Sequence, residues 1–562
     1  MIDRLKDILL YDEHTPLLFT RLYFWVFFAI VLAVYSIIYR QKAVRNAYLF
    51  LVSLFFYYKT SGFFVSILLV STITDFIIGQ RIYATKNELG KKLWLSLSIF
   101  INLFILAYFK YAYFFTDAFN TLLGTHYTPI NHFAYWTNSF FGTHFRFDKI
   151  LLPVGVSFFT FQTISYSVDV YRGLVKPVRN ILDFGFFVSF FPQLVAGPIV
   201  RAADFVPQLY KKYSLTKEQF GIALFMILNG LVKKLFLADY IAVNFIDRVF
   251  TNPLSYTGFE NLMALYGYSL QVYADFSGYT DIAIGLALLM GFRLPKNFNS
   301  PYKATSTGEF WKRWHISLSS WLKDYLYIPM GGNRSGSAFS YLSMFVIAFF
   351  ISILAATIWV PIGIVALVLL VYGIGLISPA FKNWVSTNIN LMMTMLLGGL
   401  WHGSSWNFVV WGGLNGLGIL IYKMWRKFKK WFQGKLGIQR QEEKEKWYGR
   451  MVGIFLTFNF ITFTRIWFRS SDFVIARQVL SQITQHLSFT VAWDVLVGYK
   501  WVFITMLIGY IIHWLPTNWK EGYKMAFVRM PYYAQVVVAF TISFFLYQVL
   551  SSDMQPFIYF AF

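Results

Sequence analysis

Long apolar runs recur along this chain of 562 residues, and they constrain its fold more than any other feature. Residues 22–39, 343–360 and 362–377 approach or reach the ~20 residues with which an α-helix crosses the hydrocarbon core of a bilayer. Only 13% of the residues are charged, whereas an ordinary soluble domain has about 25%. The sequence therefore predicts an all-α polytopic membrane protein, with residues 1–562 forming a single membrane domain.

Basic loops between the apolar runs account for the formal charge of +23. Lys and Arg cluster at 40–45, 81–92 and 172–179, which is typical of cytoplasmic loops that attract anionic lipid headgroups. We therefore expect membrane lipids as partners and no nucleic acid. Counting spans between these loops places both termini outside the cytoplasm. The expected spans are 22–39, 46–58, 63–79, 93–109, 150–170, 341–360, 362–378, 389–401, 405–422, 451–467, 500–515 and 532–550.

The chain has no cysteine, so it cannot use a thiolate as a metal ligand or as a nucleophile. The sequence predicts neither a metal site nor a permanently bound cofactor. Any covalent chemistry has to use another side chain.

His402 is the first candidate for that chemistry. It follows Trp401 in an apolar segment, and Ser404, Ser405 and Asn407 lie directly behind it. Polar groups at membrane depth usually mark a working site. A neutral imidazole can take the proton of a hydroxyl group at physiological pH. A lone histidine in a membrane segment is most often a packing or hydrogen-bonding residue.

His315 is the second candidate, in the segment FWKRWHISLSSWL. Its neighbours Lys312, Arg313 and Lys323 suit an anionic ligand beside a hydrophobic slot. With Asn407 they form the candidate set for binding a phosphorylated donor. The alternative is an interfacial amphipathic helix with a belt of aromatic residues.

Four long motifs resemble the membrane-bound O-acyltransferase family, in particular its bacterial branch that O-acetylates alginate and related polymers. They match in order along most of the chain, and both histidines fall in the core motif region 297–416. The motifs are FFPQLVAGPIVRAADFVPQ at 190–208, YADFSGYTDIAIGLALLMGF at 273–292, the segment 297–334 that contains RWHISLS, and GLWHGSSWNFVVWGGLNG at 399–416.

The resemblance implies a ring of tilted helices around a central funnel and tunnel. The stretch 335–399 departs from that pattern, because it is short in relatives but here contains an extra helical hairpin near 341–378. The resemblance makes His402 the central catalytic residue and His315 its partner. It also implies a bacterial inner-membrane O-acetyltransferase subunit with acetyl-CoA as donor. The acceptor would be the hydroxyl groups of an exported polysaccharide, reached directly or through a periplasmic SGNH-like acetyltransferase partner.

The aromatic tail 551–562 resembles a terminal motif of the same branch, in which a tyrosine is a proposed acyl carrier. Here that residue is Tyr559. Composition alone is typical of an aromatic membrane-edge segment.

Two alternative functions stay open at this point. One is transfer of D-alanine or another acyl group to a polymer such as teichoic acid. The other is a transporter or channel without chemistry, for which inverted-repeat hydropathy would be the signal.

Overall fold

The computed structural model describes residues 10–12, 16–141, 149–195, 197–333, 338–355, 359–435 and 446–549. The regular elements of these residues are helices, as predicted. Those before residue 300 are Leu22–Ile38, Lys42–Ser61, Val65–Ala84, Glu88–Leu106, Ala112–Leu123, His132–Phe141, Val156–Tyr171, Ile181–Ser189, Phe191–Leu194, Ala202–Leu209, Lys217–Leu231, Asp247–Thr251 and Gly258–Leu289. Those after it are Thr307–Arg313, Ile316–Trp321, Ala338–Ala355, Trp359–Ile377, Pro379–His402, Trp406–Lys435, Trp447–Arg469, Phe473–Gln485, Ala492–Gly498, Lys500–Trp514, Thr517–Arg529 and Tyr532–Val549.

Helix lengths and composition support a multi-pass membrane protein. Among the described residues, 4 helical stretches are long and apolar enough to cross a membrane, or up to 6 if each of two bent pairs forms one span. The bends measure 88° and 117°. The stretches are Lys42–Ala84, Glu88–Leu123, Lys217–Thr251 and Trp447–Arg469, and the bent pairs are Ala492–Gly498 with Lys500–Trp514 and Thr517–Arg529 with Tyr532–Gln548.

The first basic loops are connected differently from the prediction. We expected spans 46–58 and 63–79 to fold back on each other, but a short turn at Gly62–Phe64 joins their helices into the stretch Lys42–Ala84. The first half packs mainly on Ile181–Ser189. The second half packs mainly on Val156–Tyr171 and Glu88–Leu106, so the two halves do not pair as a hairpin. A single stretch would place 40–45 and 81–92 on opposite sides, so the orientation of the termini stays a prediction.

Helix Gly258–Leu289 forms the centre of the fold. It begins with a capping box made by Thr257 and Glu260, and most of its side chains are buried. Its most extensive packing is against helix Lys217–Leu231. The motif that starts at Tyr273 therefore lies within a buried element.

A group of ion pairs joins helix Gly258–Leu289 to the turn that follows Lys217–Leu231, and we refer to Lys233, Lys234, Asp239, Asp275 and Asp281 as the lysine cluster. Lys234 Nζ lies 2.7 Å from the Asp239 carboxylate and 2.5 Å from that of Asp275. Lys233 Nζ lies 2.7 Å from the Asp281 carboxylate. Both lysines belong to a π-helical turn at Val232–Asp239, so this departure from α-helical geometry directs two consecutive cations at one neighbouring helix.

The predicted extra hairpin is present as helices Ala338–Ala355 and Trp359–Ile377, which pack against each other and against Pro379–His402. Leu369, Leu376 and Ile377 on the second helix are exposed. An apolar helix whose large side chains point outwards is suited to contact with lipid. The hairpin therefore lies on the outside of the element that carries His402.

Candidate functional site

His402 is the last residue of helix Pro379–His402, and it is buried. The helix ends there because Gly403 takes an extended conformation with φ −159°. Aromatic rings surround the imidazole, with ring-centroid distances of 5.0 Å to Trp401, 5.0 Å to Trp411 and 5.5 Å to Phe468. The imidazole is therefore held in an aromatic interior.

Two glycines fix the position of that helix end. A Cβ atom on Gly399 would lie 3.1 Å from the Gly412 Cα, and one on Gly412 would lie 2.5 Å from the Met395 carbonyl oxygen. Side chains at these positions would collide with backbone, so only glycine allows helices Pro379–His402 and Trp406–Lys435 to pack this closely. The glycines of the motif thereby set the place of His402.

Lys110 and Tyr111 bind the carbonyl end of the same helix. Lys110 Nζ donates to the carbonyl oxygens of Trp401 at 2.7 Å and His402 at 3.3 Å. The Tyr111 hydroxyl donates to the Leu400 carbonyl at 2.7 Å. These carbonyls have no partner within their helix, so the two side chains cap its C-terminus. They come from the π-helical turn Ala107–Tyr111, a geometry that is frequent at functional sites.

His315 is buried in an unusual backbone conformation. Its φ of 44° and ψ of 56° lie in the left-handed region, which non-glycine residues rarely adopt. Asn297 holds this conformation, because its carbonyl accepts from the Ile316 amide at 2.9 Å and its Oδ1 accepts from the Ser317 hydroxyl at 2.8 Å. The same Oδ1 lies 3.3 Å from His315 Nδ1. Strain of this kind clusters at functional sites.

The fold brings the two histidines together. Their ring centroids are 6.3 Å apart, with 64° between the ring planes. Trp401 contacts both, at 5.7 Å from His315 and 5.0 Å from His402. Phe276 packs edge-on against His315 at 4.6 Å. We call His315, His402 and these neighbouring rings, with Trp411 and Phe468, the histidine site.

Arg465 is a buried cation beside the histidine site, on helix Trp447–Arg469. Its guanidinium carbon lies 4.6 Å from the Trp314 ring centroid and 5.2 Å from that of Phe468. Arg465 and Lys110 are two charged side chains that act electrostatically on His402. The electrostatic environment of this imidazole is therefore positive.

The predicted donor-binding residues occupy different positions. Arg313 forms a salt bridge of 2.7 Å with Glu309 on its own helix and donates to the Asn299 carbonyl at 3.1 Å. Lys312 and Lys323 are exposed. Asn407 is buried and donates from Nδ2 to the Ser470 carbonyl at 2.9 Å. Arg313 and Asn407 thus have identified structural partners, whereas the two lysines point outwards.

A separate basic cleft of about 470 Å³ lies beside segment 174–179 and helix Ala202–Leu209. Lys176, Arg179 and Tyr210 contribute to its lining. It lies in the region predicted to be a cytoplasmic loop. It is therefore an additional place where anionic groups can approach the protein.

Tyr559, the predicted acyl carrier, lies outside the described residues. Lys110, Asn297 and Arg465 lie at or beside the histidine site, although the sequence motifs did not point to them. The available signal for Lys110 and Arg465 was a charged residue inside an otherwise apolar span, which is rare and usually functional. Asn297 carried no such signal, because loop asparagines are common.

The sequence motifs of this chain have counterparts in known proteins. A family model described as MBOAT, membrane-bound O-acyltransferase family, matches residues 178–355, which include His315 and end before His402. The chain is 38% identical over 385 residues to a probable alginate O-acetylase of Azotobacter vinelandii, covering 68% of this chain and 64% of that protein. It is 32% identical over 459 residues to a peptidoglycan O-acetyltransferase of Helicobacter pylori, covering 77% and 72%.

A more distant relative is a teichoic acid D-alanyltransferase of Bacillus subtilis, 26% identical over 323 residues and covering 55% of this chain and 67% of that protein. The chain thus spans 64% of the length of the Azotobacter protein and 72% of the Helicobacter one.

Proposed function

The chain belongs to the membrane-bound O-acyltransferase family, and we propose that it transfers an acetyl group from acetyl-CoA to hydroxyl groups of an exported polysaccharide. The observation that carries this proposal is the pairing of His402 with His315 at 6.3 Å inside one aromatic site, although the two lie in separate motifs. A base that takes the proton of a hydroxyl nucleophile is the group that acyl transfer to oxygen needs most.

In the proposed reaction, His402 accepts the proton of the acceptor hydroxyl while its oxygen attacks the thioester carbonyl carbon. The carbon–sulfur bond then breaks, and the leaving thiolate takes up the proton from the imidazole. An ester and a free thiol result. The aromatic surroundings of His402 exclude water, which would otherwise hydrolyse the thioester.

His315 is proposed to position the reacting groups from the opposite side. Its imidazole contacts Trp401 and lies within reach of Asn297, so its orientation is fixed. A His315 ring with a fixed orientation would keep His402 aligned with the acceptor hydroxyl whose proton it takes.

The donor is proposed to enter from the cytoplasmic side of a bacterial inner membrane. Exposed Lys312 and Lys323 and the cleft that includes Lys176 and Arg179 offer positive charge to the phosphates of acetyl-CoA. The acceptor lies outside, where the polymer is met directly or through a periplasmic SGNH-like acetyltransferase. The names of the two O-acetylating relatives, an alginate O-acetylase and a peptidoglycan O-acetyltransferase, support a polysaccharide as acceptor.

D-alanyl transfer is the second candidate, because a D-alanyltransferase is among the relatives. The identity to this relative is 26%, against 32–38% for the two O-acetylating proteins. A D-alanyl group also carries an ammonium ion. Its approach to His402 would be opposed by Arg465 and Lys110. Acetyl, which is neutral, fits these surroundings better.

We further propose that Tyr559 carries the acetyl group between His402 and the external acceptor. A phenol is a poor nucleophile at neutral pH until a base accepts its proton, and His402 would be that base. The resulting aryl ester is more reactive than an alkyl ester because phenolate leaves more readily than an alkoxide.

Incubation of the purified protein with radiolabelled acetyl-CoA, followed by mapping of labelled peptides, tests both proposals. We expect label on the tail 551–562 in the wild type and none after Tyr559→Phe, which keeps the ring but removes the oxygen. Polymer acetylation at the wild-type rate by Tyr559→Phe would refute the carrier. Failure of the wild type to use acetyl-CoA, while it accepts another thioester, would refute the proposed donor.

A further inference from the structure

Arg465 is a guanidinium in the protein interior with no counter-charge among the described residues. Its side chain is 1% exposed, and no described residue accepts a hydrogen bond from Nε, Nη1 or Nη2. The Tyr302 hydroxyl is a neutral neighbour that lies close to the guanidinium, and it donates its own proton to the Ser269 carbonyl. A buried ion without partners costs several kcal/mol, so this arrangement needs a reason.

Aromatic contacts compensate part of that cost. The guanidinium lies over the rings of Trp314 at 4.6 Å and Phe468 at 5.2 Å. A desolvated cation–π contact contributes about 2 kcal/mol. The rings of Trp314 and Phe468 offer no oxygen acceptor to the guanidinium N–H groups. The rings therefore stabilise the charge without occupying its hydrogen-bond donors.

Arg469, one turn further along the same helix, shows how a structural arginine is accommodated in this protein. Its Nη2 lies 2.7 Å from the Asp247 carboxylate. It also contacts the rings of Phe250 and Tyr268. Arg469 thus has both aromatic neighbours and a carboxylate, whereas Arg465 has only the first.

The two rings that hold Arg465 link it directly to the histidine site. Trp314 precedes His315 in the chain, and Phe468 contacts His402 at 5.5 Å. Phe468 therefore contacts both the guanidinium, at 5.2 Å, and the imidazole of the proposed base, at 5.5 Å.

We propose that Arg465 binds the acyl carbonyl oxygen and stabilises the negative charge that develops on it during transfer. This inference rests on the proposed acyltransferase function and adds a group to its reacting centre. The N–H donors of Arg465 are already oriented and desolvated before substrate arrives. Preorganised donors of this kind supply the largest single contribution in many acyl-transfer enzymes.

A lone pair of the nucleophilic oxygen forms the new bond to the carbonyl carbon, and the π pair of the carbonyl moves onto its oxygen, where Arg465 donates hydrogen bonds. The nucleophile's proton goes to His402. The oxygen pair then re-forms the carbonyl as the carbon–sulfur pair leaves with the thiolate, which takes the proton from His402.

The test compares Arg465→Met and Arg465→Lys with the matched control Arg469→Met in the full-length protein. For each variant we would measure kcat, the KM for acetyl-CoA and the melting temperature in detergent. We expect Arg465→Met to lower kcat by about a hundredfold to a thousandfold with a much smaller change in KM, because the interaction is strongest when the carbonyl oxygen carries negative charge in the transition state. Its melting temperature should stay equal or rise, since an unpaired buried charge is removed.

Arg465→Lys keeps the charge but loses the planar fork of donors, so we expect an intermediate loss of about tenfold. If Arg465→Met does not fold, the kcat of Arg465→Lys still tests the inference. Arg469→Met should lower the melting temperature because Asp247 loses its partner, with a normal kcat in the folded fraction. A normal kcat in an Arg465 variant, or a loss of stability matching the Arg469 control, would overturn the inference. Wild type inactive with every acyl thioester would instead refute the proposed function.

Discussion

The lysine cluster and the histidine site both hold positive charge inside the protein, but they neutralise it differently. In the lysine cluster, Lys234 contacts two carboxylates and Lys233 contacts a third. Beside the histidine site, Lys110 donates to backbone carbonyls and Arg465 rests on aromatic rings. The cations of the lysine cluster are neutralised by its own carboxylates. Carbonyls and rings do not neutralise the cations beside the histidine site, so a positive electrostatic potential remains there for a substrate group that becomes negative.

We propose that this difference separates charges that hold helices together from charges that act on a reaction. Carboxylates next to His402 would favour a permanently protonated imidazole, which could not act as a base. Aromatic rings and carbonyls avoid that outcome. The comparison therefore predicts that variants of the two regions fail in different assays.

Replacing His402 should give the largest effect on activity. We expect His402→Ala to lower the transfer rate by about a hundredfold to ten-thousandfold, the usual contribution of a positioned base. Its melting temperature should change little, because the surrounding rings remain in contact with one another. The exposed His126 provides the control variant, His126→Ala. Transfer within a few-fold of wild type would remove His402 from its proposed role.

Lys234→Met should instead affect stability. It leaves Asp239 and Asp275 buried without their cation, and breaking a buried pair in this way costs about 3–5 kcal/mol. Thermal unfolding in detergent would show the loss, and transfer per folded molecule should stay normal at low temperature. If Lys234→Met is stable but its transfer rate is impaired, the contrast between the two regions is wrong and the lysine cluster takes part in the reaction.

His315→Asn should give the smallest of these effects. Asparagine tolerates the left-handed backbone at this position, so the variant removes the imidazole and limits backbone strain. We expect a loss of about tenfold in rate, within the range of a misaligned proton-transfer partner. An unchanged rate across acetyl-CoA concentrations would leave His315 with the interfacial packing role that its sequence context also allows.

Local patterns in the sequence predicted the helices and the identity of both histidines. Apolar runs of sufficient length report spans directly, and the glycines and serines around His402 marked it as unusual for a membrane segment. The four-residue spacing of Glu309 and Arg313 also carried a readable signal, since side chains at i and i+4 meet on a helix. The ion pair between them is observed, although Arg313 was expected to bind the donor.

Long-range contacts could not be predicted in this way. The π-helical turn at Ala107–Tyr111 depends on a shift of backbone hydrogen bonds that leaves no trace in hydropathy. The proximity of His315 to His402 follows from how separate helices pack, as does the setting of Arg465 between Trp314 and Phe468. Helix packing also decides how the chain runs between the basic loops 40–45 and 81–92. The segment was predicted as a helical hairpin, but the structure has the single stretch Lys42–Ala84.

The hydrogen bond from Lys110 to the Trp401 carbonyl joins residues 291 positions apart, and this has a consequence for biosynthesis. At about 5–20 residues per second, the ribosome needs about 15–60 s after Lys110 is made before its partner exists. During that interval the Lys110 ammonium group lies in a membrane-inserted segment without the carbonyl to which it later donates. The end of the His402 helix can therefore be anchored only after 402 of the 562 residues have been synthesised.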